Sequence, residues 1–250
     1  MSNTDRSILI TGAAGFIGRA LLPKLADQHH VLATDLHAAD SAEACDVLDL
    51  DALRGLCARV DAVVHLAAAA QRDDLSQREN ETRIFDTRLK GTHNLLQAAQ
   101  EANLKRVVLI SDLRVLANYD ADLMVCEDFV PQPATEAEPL SAYLAELIAR
   151  EYARLGPPGQ ILTLRLGTVI DPTTLASDAR CEDGWLALDD AVAAILRGLD
   201  CERFAGMGEW GLYNLAADVP DNRYSLLKIQ AEPFGFFPDE DFTAWREEGR

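Results

Sequence analysis

Short apolar runs alternate with longer segments of helical hydrophobic spacing through the first two-thirds of the chain. The runs are continuously apolar, which is typical of strands that are buried on both faces of a parallel sheet. The pattern predicts strands at 7–11, 31–34, 62–66, 107–110 and 161–166, and helices at 16–28, 50–59, 81–102 and 141–155. This order predicts an α/β fold of the Rossmann type, a doubly wound parallel sheet that binds ligands at the carboxyl ends of its strands.

The pattern is looser after Pro172. It predicts a helix at 188–199, a short strand at 212–215 and an acidic terminal helix at 239–248. No long linker precedes these elements. We therefore expect a dinucleotide-binding region over 1–172 and a small C-terminal cap over 173–250 that folds with it as one unit.

Three glycines spaced by three, Gly12, Gly15 and Gly18, lie between the first predicted strand and the first predicted helix. Glycines at such a junction permit a tight turn, close approach of the backbone to a pyrophosphate, and close packing of helix on strand. The N–H groups of Phe16 and Ile17 lie at the helix start, where the helix dipole favours an anion. A strand–helix turn without a ligand is the alternative interpretation.

Asp35 follows the second predicted strand and lies twenty residues after Gly15. A carboxylate at this point accepts hydrogen bonds from the ribose of an adenosine and repels a 2′-phosphate. The sequence therefore predicts NAD as the cofactor, in preference to NADP.

The 250 residues carry a formal net charge of −18, which argues against nucleic acid or an anionic membrane as a partner. No apolar run approaches the ~20 residues of a membrane-spanning helix, and the N-terminus lacks the pattern of a signal peptide. Five scattered cysteines and five histidines show no metal-ligand spacing. We expect a cytoplasmic protein with reduced thiols and no metal.

An ordered set of motifs resembles the extended short-chain dehydrogenase/reductase superfamily, in its NAD-dependent epimerase/dehydratase branch. The matching segments are 11–18, 46–49, 63–68, 91–96, 164–167, 189–192 and 213–214. The resemblance implies that Asp46 and Val47 line an adenine pocket and that Ala67 and Ala68 lie beside the nicotinamide end. It also implies a homodimer built from the helices at 81–102 and 141–155.

The same resemblance implies catalysis by a tyrosine, a lysine four residues later and a serine or threonine. The positive charge of the lysine lowers the tyrosine pKa from ~10 toward neutrality. Tyr143 matches the tyrosine, but Leu147 stands at the lysine position. Asp112, directly after Ser111, stands at the serine/threonine position, and Arg88 stands where the family has an asparagine.

Two interpretations of this altered site follow. In the first, the helix at 141–155 packs an apolar row into the core, made of Tyr143, Leu144, Leu147, Ile148, Tyr152 and Leu155. Arg88 is then a surface or dimer-interface charge. In the second, Arg88 supplies the missing positive charge, while Asp112 acts as a base or Ser111 replaces the family hydroxyl.

The interpretations correspond to two functions. One is an NAD(H)-binding protein with a degraded catalytic site that serves as a sensor or scaffold. The other is an active NAD-dependent oxidoreductase, epimerase or dehydratase that acts on a sugar or sugar acid. The short segment between Pro172 and Trp185 leaves little room for a sugar nucleotide, and the compact C-terminus is similar to that of hexuronate dehydrogenases.

Overall fold

Seven parallel strands form the central sheet in the computed structural model, which describes residues 6–39, 42–156, 159–176, 178–204, 209–220 and 222–246. The strands of this sheet are β1 (Ser7–Thr11), β2 (His30–Asp35), β3 (Glu43–Ala44), β4 (Ala62–His65), β5 (Arg106–Asp112), β6 (Gln160–Leu166) and β9 (Trp210–Leu215). Two further strands, β7 (Thr168–Ile170) and β8 (Trp185–Ala187), pair with each other.

The strand order is β3-β2-β1-β4-β5-β6-β9, so the chain first builds outward from β1 on one side and then on the other. Where the chain leaves two adjacent parallel strands toward opposite sides of the sheet, a crevice forms at their carboxyl ends, and such folds bind ligands there. In this protein the crevice lies between β1 and β4, which pair from Ile8 with Ala62 to Thr11 with His65. The predicted doubly wound fold is confirmed.

Two layers of helices cover the sheet, because alternate strand residues point to opposite faces. The helices are α1 (Phe16–Ala26), α2 (Leu50–Cys57), α3 (Gln77–Phe85), α4 (Thr92–Glu101), α5 (Ala137–Leu155), α6 (Leu188–Asp200) and α7 (Leu227–Gln230). Leu9 and Val63 belong to a core with residues of α2, α4 and α5. Ile8 and Val64 belong to a second core with residues of α1 and α6.

The long helix predicted at 81–102 begins earlier, at Gln77. Ser76 starts it because its side chain caps Glu79 N–H while the Glu79 carboxylate accepts from Ser76 N–H at 2.9 Å. Between α3 and α4 the helix continues as a π-helical segment, Asp86–Gly91. This wider turn contains Arg88.

The C-terminal residues join the main structure. The predicted helix and strand correspond to α6 and β9, and β9 pairs with β6 at the sheet edge. The terminal helix predicted at 239–248 is wrong within its described part, where a single 3-10 turn, Thr243–Trp245, occurs; 247–248 lie outside the described residues. The reason is local: Phe242 is fully buried with a φ of +51°, which no α-helix allows.

The boundary at residue 172 between a nucleotide-binding region and a cap stays a prediction. Among the described helices, none is long and apolar enough to cross a membrane.

Candidate functional site

The glycine turn after β1 is shaped by close backbone contacts. Gly12 has a φ of +77°, and a Cβ there would lie 2.7 Å from the backbone nitrogen of Ala67. A Cβ on Gly18 would lie 2.6 Å from the carbonyl oxygen of Ala13, whereas Gly15, the N-cap of α1, would meet only Gly12 O at 3.1 Å. The turn thus needs glycine at both ends, and its middle stays open for a ligand to approach.

Asp35, at the end of β2, holds this turn in place. Its Oδ2 accepts a hydrogen bond from Ala14 N–H at 2.9 Å, and its Oδ1 accepts one from Leu36 N–H at 2.8 Å. The carboxylate therefore fixes the position of the glycine turn and adds a negative charge next to it.

A cavity of about 610 Å³, called here the large cavity, opens at the carboxyl ends of β1, β2 and β4. Most of the predicted binding residues line it, namely Gly12, Gly15, Asp35, Asp46, Val47, Ala67 and Ala68. Phe16, Ile17 and Gly18 lie beside it rather than among its described lining residues. Its volume is in the range of small-molecule and cofactor sites.

The far part of this lining contains residues that are not among the predicted binding residues, including Arg72, Arg83, Asp86 and Thr87. The last three stand at spacings of three and four on one helix, so they share a face. The helix that contains the 91–96 motif extends toward the N-terminus. Its three- and four-residue spacing is the signal that could have predicted these residues.

A smaller cavity of about 170 Å³, the inner cavity, shares Leu66, Ala67 and Ala68 with the large one. It lies between the sheet and the helices α4 and α5, and Arg88 and Ser111 line it. A third cavity of about 390 Å³, the outer cavity, is lined by Ile17, Arg88, Ser111, Asp112, Arg114 and the segment 166–169. Three of the four catalytic candidates, Arg88, Ser111 and Asp112, therefore come together.

Ser111 takes part in a buried cluster that the sequence did not suggest. Its hydroxyl donates to Glu146 Oε1 at 2.5 Å, and Arg165 donates to both oxygens of the same carboxylate. Because the Ser111 proton is used in this way, its oxygen offers the cavities only hydrogen-bond acceptors.

Arg88 extends from the π-helical segment into the site, and its Nη1 donates to Ile110 O at 2.9 Å. Burial lowers the pKa of this guanidinium, and the carboxylates of Asp112 and Glu138 oppose that shift. Arg88 lines two cavities in this chain, and its assignment to catalysis rather than to the surface or a dimer interface stays a prediction.

Asp112 ends β5, and its carboxylate is paired with the guanidinium of Arg114. Arg114 donates to it from Nε and, at 2.6 Å, from Nη2, and also to Glu138 at 2.9 Å. These hydrogen bonds raise the pKa of Arg114. Asp112 therefore lines the outer cavity as one member of an ion-pair network with two carboxylates.

Tyr143 is half-buried against a cluster that contains Leu113 and Tyr224, and it is not among the described residues lining the three cavities. The apolar row on α5 is only partly in the core: Tyr143, Ile148 and Tyr152 are half-buried against core clusters, whereas Leu155 is 66% exposed. The buried face of α5 consists instead of Ser141, Ala142, Ala145, Glu146, Ala149 and Ala153. Small side chains let the helix approach the sheet, which turns the larger ones outward.

His65 ends β4 within the inner cavity. Its Nδ1 lies 2.7 Å from Thr11 Oγ1 and its Nε2 lies 3.4 Å from Thr92 Oγ1. Burial, and then the charge of Arg88, lowers its pKa to about 3. His65 is thus a neutral polar side chain in the inner cavity. Among the described residues, no group of three or more histidine, cysteine or acidic side chains could hold a metal ion.

Comparison with known proteins identifies the family. A model described as the NAD dependent epimerase/dehydratase family matches residues 8–180. The chain belongs to this family. This match confirms the resemblance to the NAD-dependent epimerase/dehydratase family that the motifs indicate.

Two relatives are similar over nearly the whole chain. The L-arabinose 1-dehydrogenase (NAD(P)(+)) of Haloferax volcanii is 32% identical over 258 residues, which cover 94% of this chain and 96% of the relative. A uronate dehydrogenase of Pseudomonas putida is 26% identical over 252 residues, which cover 96% and 86%.

A solved structure agrees with the family assignment. It is a short-chain dehydrogenase/reductase superfamily protein from Agrobacterium tumefaciens with bound NAD, at a TM-score of 0.78 and 25% identity. The match covers 94% of this chain and 93% of that one.

Proposed function

We propose that the protein is an NAD-dependent oxidoreductase that oxidises a hydroxyl group of a small sugar or sugar acid. The observation that carries the proposal is the outer cavity, which Asp112 and Arg88 both line. Arg88 and Ser111 also line the inner cavity, which shares Ala67 and Ala68 with the large cavity. A sugar in the outer cavity would therefore lie next to the nicotinamide end of a dinucleotide.

In this proposal Asp112 is the general base. A bound NAD⁺ would supply the acceptor for the hydride from the carbinol carbon, and the Asp112 carboxylate would take the proton of the substrate hydroxyl. Arg88 adds positive charge where negative charge develops on the substrate oxygen. Arginine stays protonated, so it stabilises charge but does not relay the proton as a lysine can.

Ser111 is better suited to hold the substrate than to protonate it. Because its hydroxyl donates to Glu146, its oxygen accepts a hydrogen bond from a substrate hydroxyl. Tyr143 remains the alternative acid–base group, since it occupies the position of the family tyrosine.

The cofactor preference is part of the proposal. Asp35 lines the large cavity, and its negative charge disfavours the 2′-phosphate of NADP. The sugar class rests on the relatives, whose names point to L-arabinose and to uronates as the compounds to test first.

The test is NADH formation with aldoses and uronates by the wild type and single variants. We expect Asp112→Asn to lower kcat by about 10²-fold or more, because a general base contributes that much. Arg88→Gln is expected to lower kcat less, and Asp122→Asn, which changes an exposed acid outside the described lining of these cavities, should change nothing. A Tyr143→Phe variant without activity, beside an active Asp112→Asn, would reassign the base to Tyr143.

A second candidate function is NAD(H) binding without turnover, as a sensor or scaffold. The observations that favour it are Leu147 at the lysine position and the pairing of Asp112 with Arg114. NAD⁺ binding with no turnover of any sugar would support this candidate. Activity gained in Leu147→Lys would then identify the site as an eroded dehydrogenase.

We also propose a homodimer through α4 and α5. These helices pack together, with the rings of His93 and Tyr152 in edge-on contact at 5.6 Å, and Leu147 and Leu155 leave an apolar surface on α5. Sedimentation at several concentrations should give twice the chain mass, and Leu155→Glu should shift the protein toward monomer.

A further inference from the structure

Two arginines, Arg72 and Arg83, line the large cavity together with Gly12 and Gly15. Neither arginine belongs to the glycine turn, to Asp35 or to the catalytic candidates. They lie on a separate wall, formed by the segment after β4 and by α3.

This wall is fixed by buried hydrogen bonds. Asn80, which is 8% exposed, accepts from Arg72 N–H at 2.9 Å and donates to Arg72 O at 2.9 Å. The segment that carries Arg72 is therefore attached to α3. One face of the same helix presents Arg83, and Asp86 follows three residues later.

The acidic side chains that line the large cavity already have partners. Asp35 accepts from two backbone N–H groups, Asp46 from Leu48 N–H at 2.9 Å, and Asp86 pairs with Lys90 at 2.8 Å. None of these described contacts uses an arginine of the wall.

The two arginines differ in how fully their positive charges are paired with acidic side chains. Arg72 donates to both oxygens of Asp74, from Nε at 2.8 Å and from Nη2 at 2.5 Å. Arg83 has one described hydrogen bond, from Nη1 to Ala70 O at 3.4 Å. The pKa of Asp74 is lowered first by the hydrogen bond from Arg72, and the charge of Arg83 adds only the smallest contribution.

We propose that Arg83 binds a phosphate group of the dinucleotide within the large cavity. The inference rests on NAD binding by the family and not on which substrate is oxidised. A guanidinium presents a rigid fork of N–H donors that matches phosphate oxygens, and such charge-assisted hydrogen bonds are among the strongest in proteins.

The net negative charge of the chain increases the contribution that Arg83 makes to phosphate binding. A net charge of −18 repels a dianionic diphosphate, and the glycine turn offers it only backbone N–H groups and the α1 dipole. Arg83 adds a full positive charge inside the same cavity.

The experiment is calorimetric titration of the apo protein with adenosine, NAD⁺ and NADP⁺. The variants are Arg83→Gln and, as a matched control, Arg78→Gln, which removes an exposed arginine from the same helix outside the cavity. We expect Arg83→Gln to raise the Kd for NAD⁺ about tenfold or more. Adenosine, which carries no phosphate, should bind as before, and Arg78→Gln should behave as the wild type.

The three ligands also distinguish the source of the phosphate. Equal losses for NAD⁺ and NADP⁺ assign Arg83 to the diphosphate, whereas a loss for NADP⁺ alone assigns it to the 2′-phosphate. Unchanged affinity for both dinucleotides, or an equal loss for adenosine, would overturn the proposal. Because the readout is binding, a failure to turn over sugars does not affect the result.

Discussion

Arg165 donates two hydrogen bonds to Glu146, at 2.9 Å from Nε to Oε1 and at 2.7 Å from Nη2 to Oε2, and both side chains are 2% exposed. Glu146 immediately precedes Leu147, the position where the family has its lysine. The charge at this point in the middle of α5 is therefore a negative one, buried and paired, rather than a positive one directed at a tyrosine.

Removal of one member of this pair should be costly. We expect Glu146→Gln to lower the free energy of unfolding by about 3–5 kcal/mol, because it leaves Arg165 as an uncompensated buried charge. Glu151→Gln is the matched control: Glu151 is on the same helix, is half-exposed and pairs with Arg154, so we expect at most about 1 kcal/mol. Urea unfolding measures both, and equal effects would contradict the argument.

Replacing glycine by alanine should have opposite effects on stability at Gly12, in the glycine turn, and at Gly55, in α2. Gly12→Ala should lower the free energy of unfolding by about 2 kcal/mol or more and weaken NAD⁺ binding, because of its positive φ and the backbone 2.7 Å away. A Cβ on Gly55 in α2 meets nothing within 4 Å, so Gly55→Ala should stabilise the protein by about 0.5–1 kcal/mol. Thermal unfolding compares them, and a tolerated Gly12→Ala would refute the close contact.

His65 predicts a pH dependence of stability. Its pKa of about 3 in the folded protein lies below its ordinary value of 6.5, so below pH 6.5 the unfolded chain binds a proton that the folded protein does not. Stability should fall as pH drops through this window, by up to about 1.4 kcal/mol per pH unit.

His65→Gln should remove that part of the slope, measured as the urea midpoint between pH 6.5 and 4. His30→Gln, which changes an exposed histidine at the start of β2, should leave the slope unchanged. An identical slope in the wild type and in His65→Gln would show that His65 does not carry it.

Replacing Asp35 by asparagine should change the cofactor preference. Asp35→Asn keeps an oxygen that can accept from Ala14 N–H but removes the negative charge. We expect the ratio of NAD⁺ to NADP⁺ affinity to fall by about tenfold, because the 2′-phosphate no longer faces a carboxylate. Calorimetry with both cofactors measures the ratio, and Asp46→Asn should leave it unchanged, since Asp46 caps Leu48 N–H elsewhere in the cavity. A ratio that stays constant in Asp35→Asn would contradict the role of its charge.

The fold and the geometry of the glycine turn were predictable because local rules decide them. Continuous apolar strands require cover on both faces, and Gly12 and Gly18 stand where any side chain would meet backbone. These constraints are visible within a few residues of sequence. The positions of Asp35, Asp46 and Ala67 follow from them, since each comes directly after or near the end of a strand.

The catalytic region was not predictable in the same way, because distant residues decide which groups are available. The hydrogen bond from Ser111 to Glu146 joins residues 35 apart, and Arg165 approaches from another strand. The apolar row on α5 is only partly in the core for a related reason: its spacing indicates one face of a helix but does not say what that face contacts. Small residues on another face of α5 form most of the buried face of this helix.

The π-helical segment Asp86–Gly91 makes one continuous helix serve two cavities. Arg83 and Asp86 face the large cavity, whereas Arg88 and Thr92 face the inner one. Deleting one residue within the segment would convert it to an ordinary α-helix and rotate everything before it by about 100° relative to α4. The extra residue in this turn therefore sets the rotation between the two halves of the helix, so that one half lines the large cavity and the other lines the inner cavity.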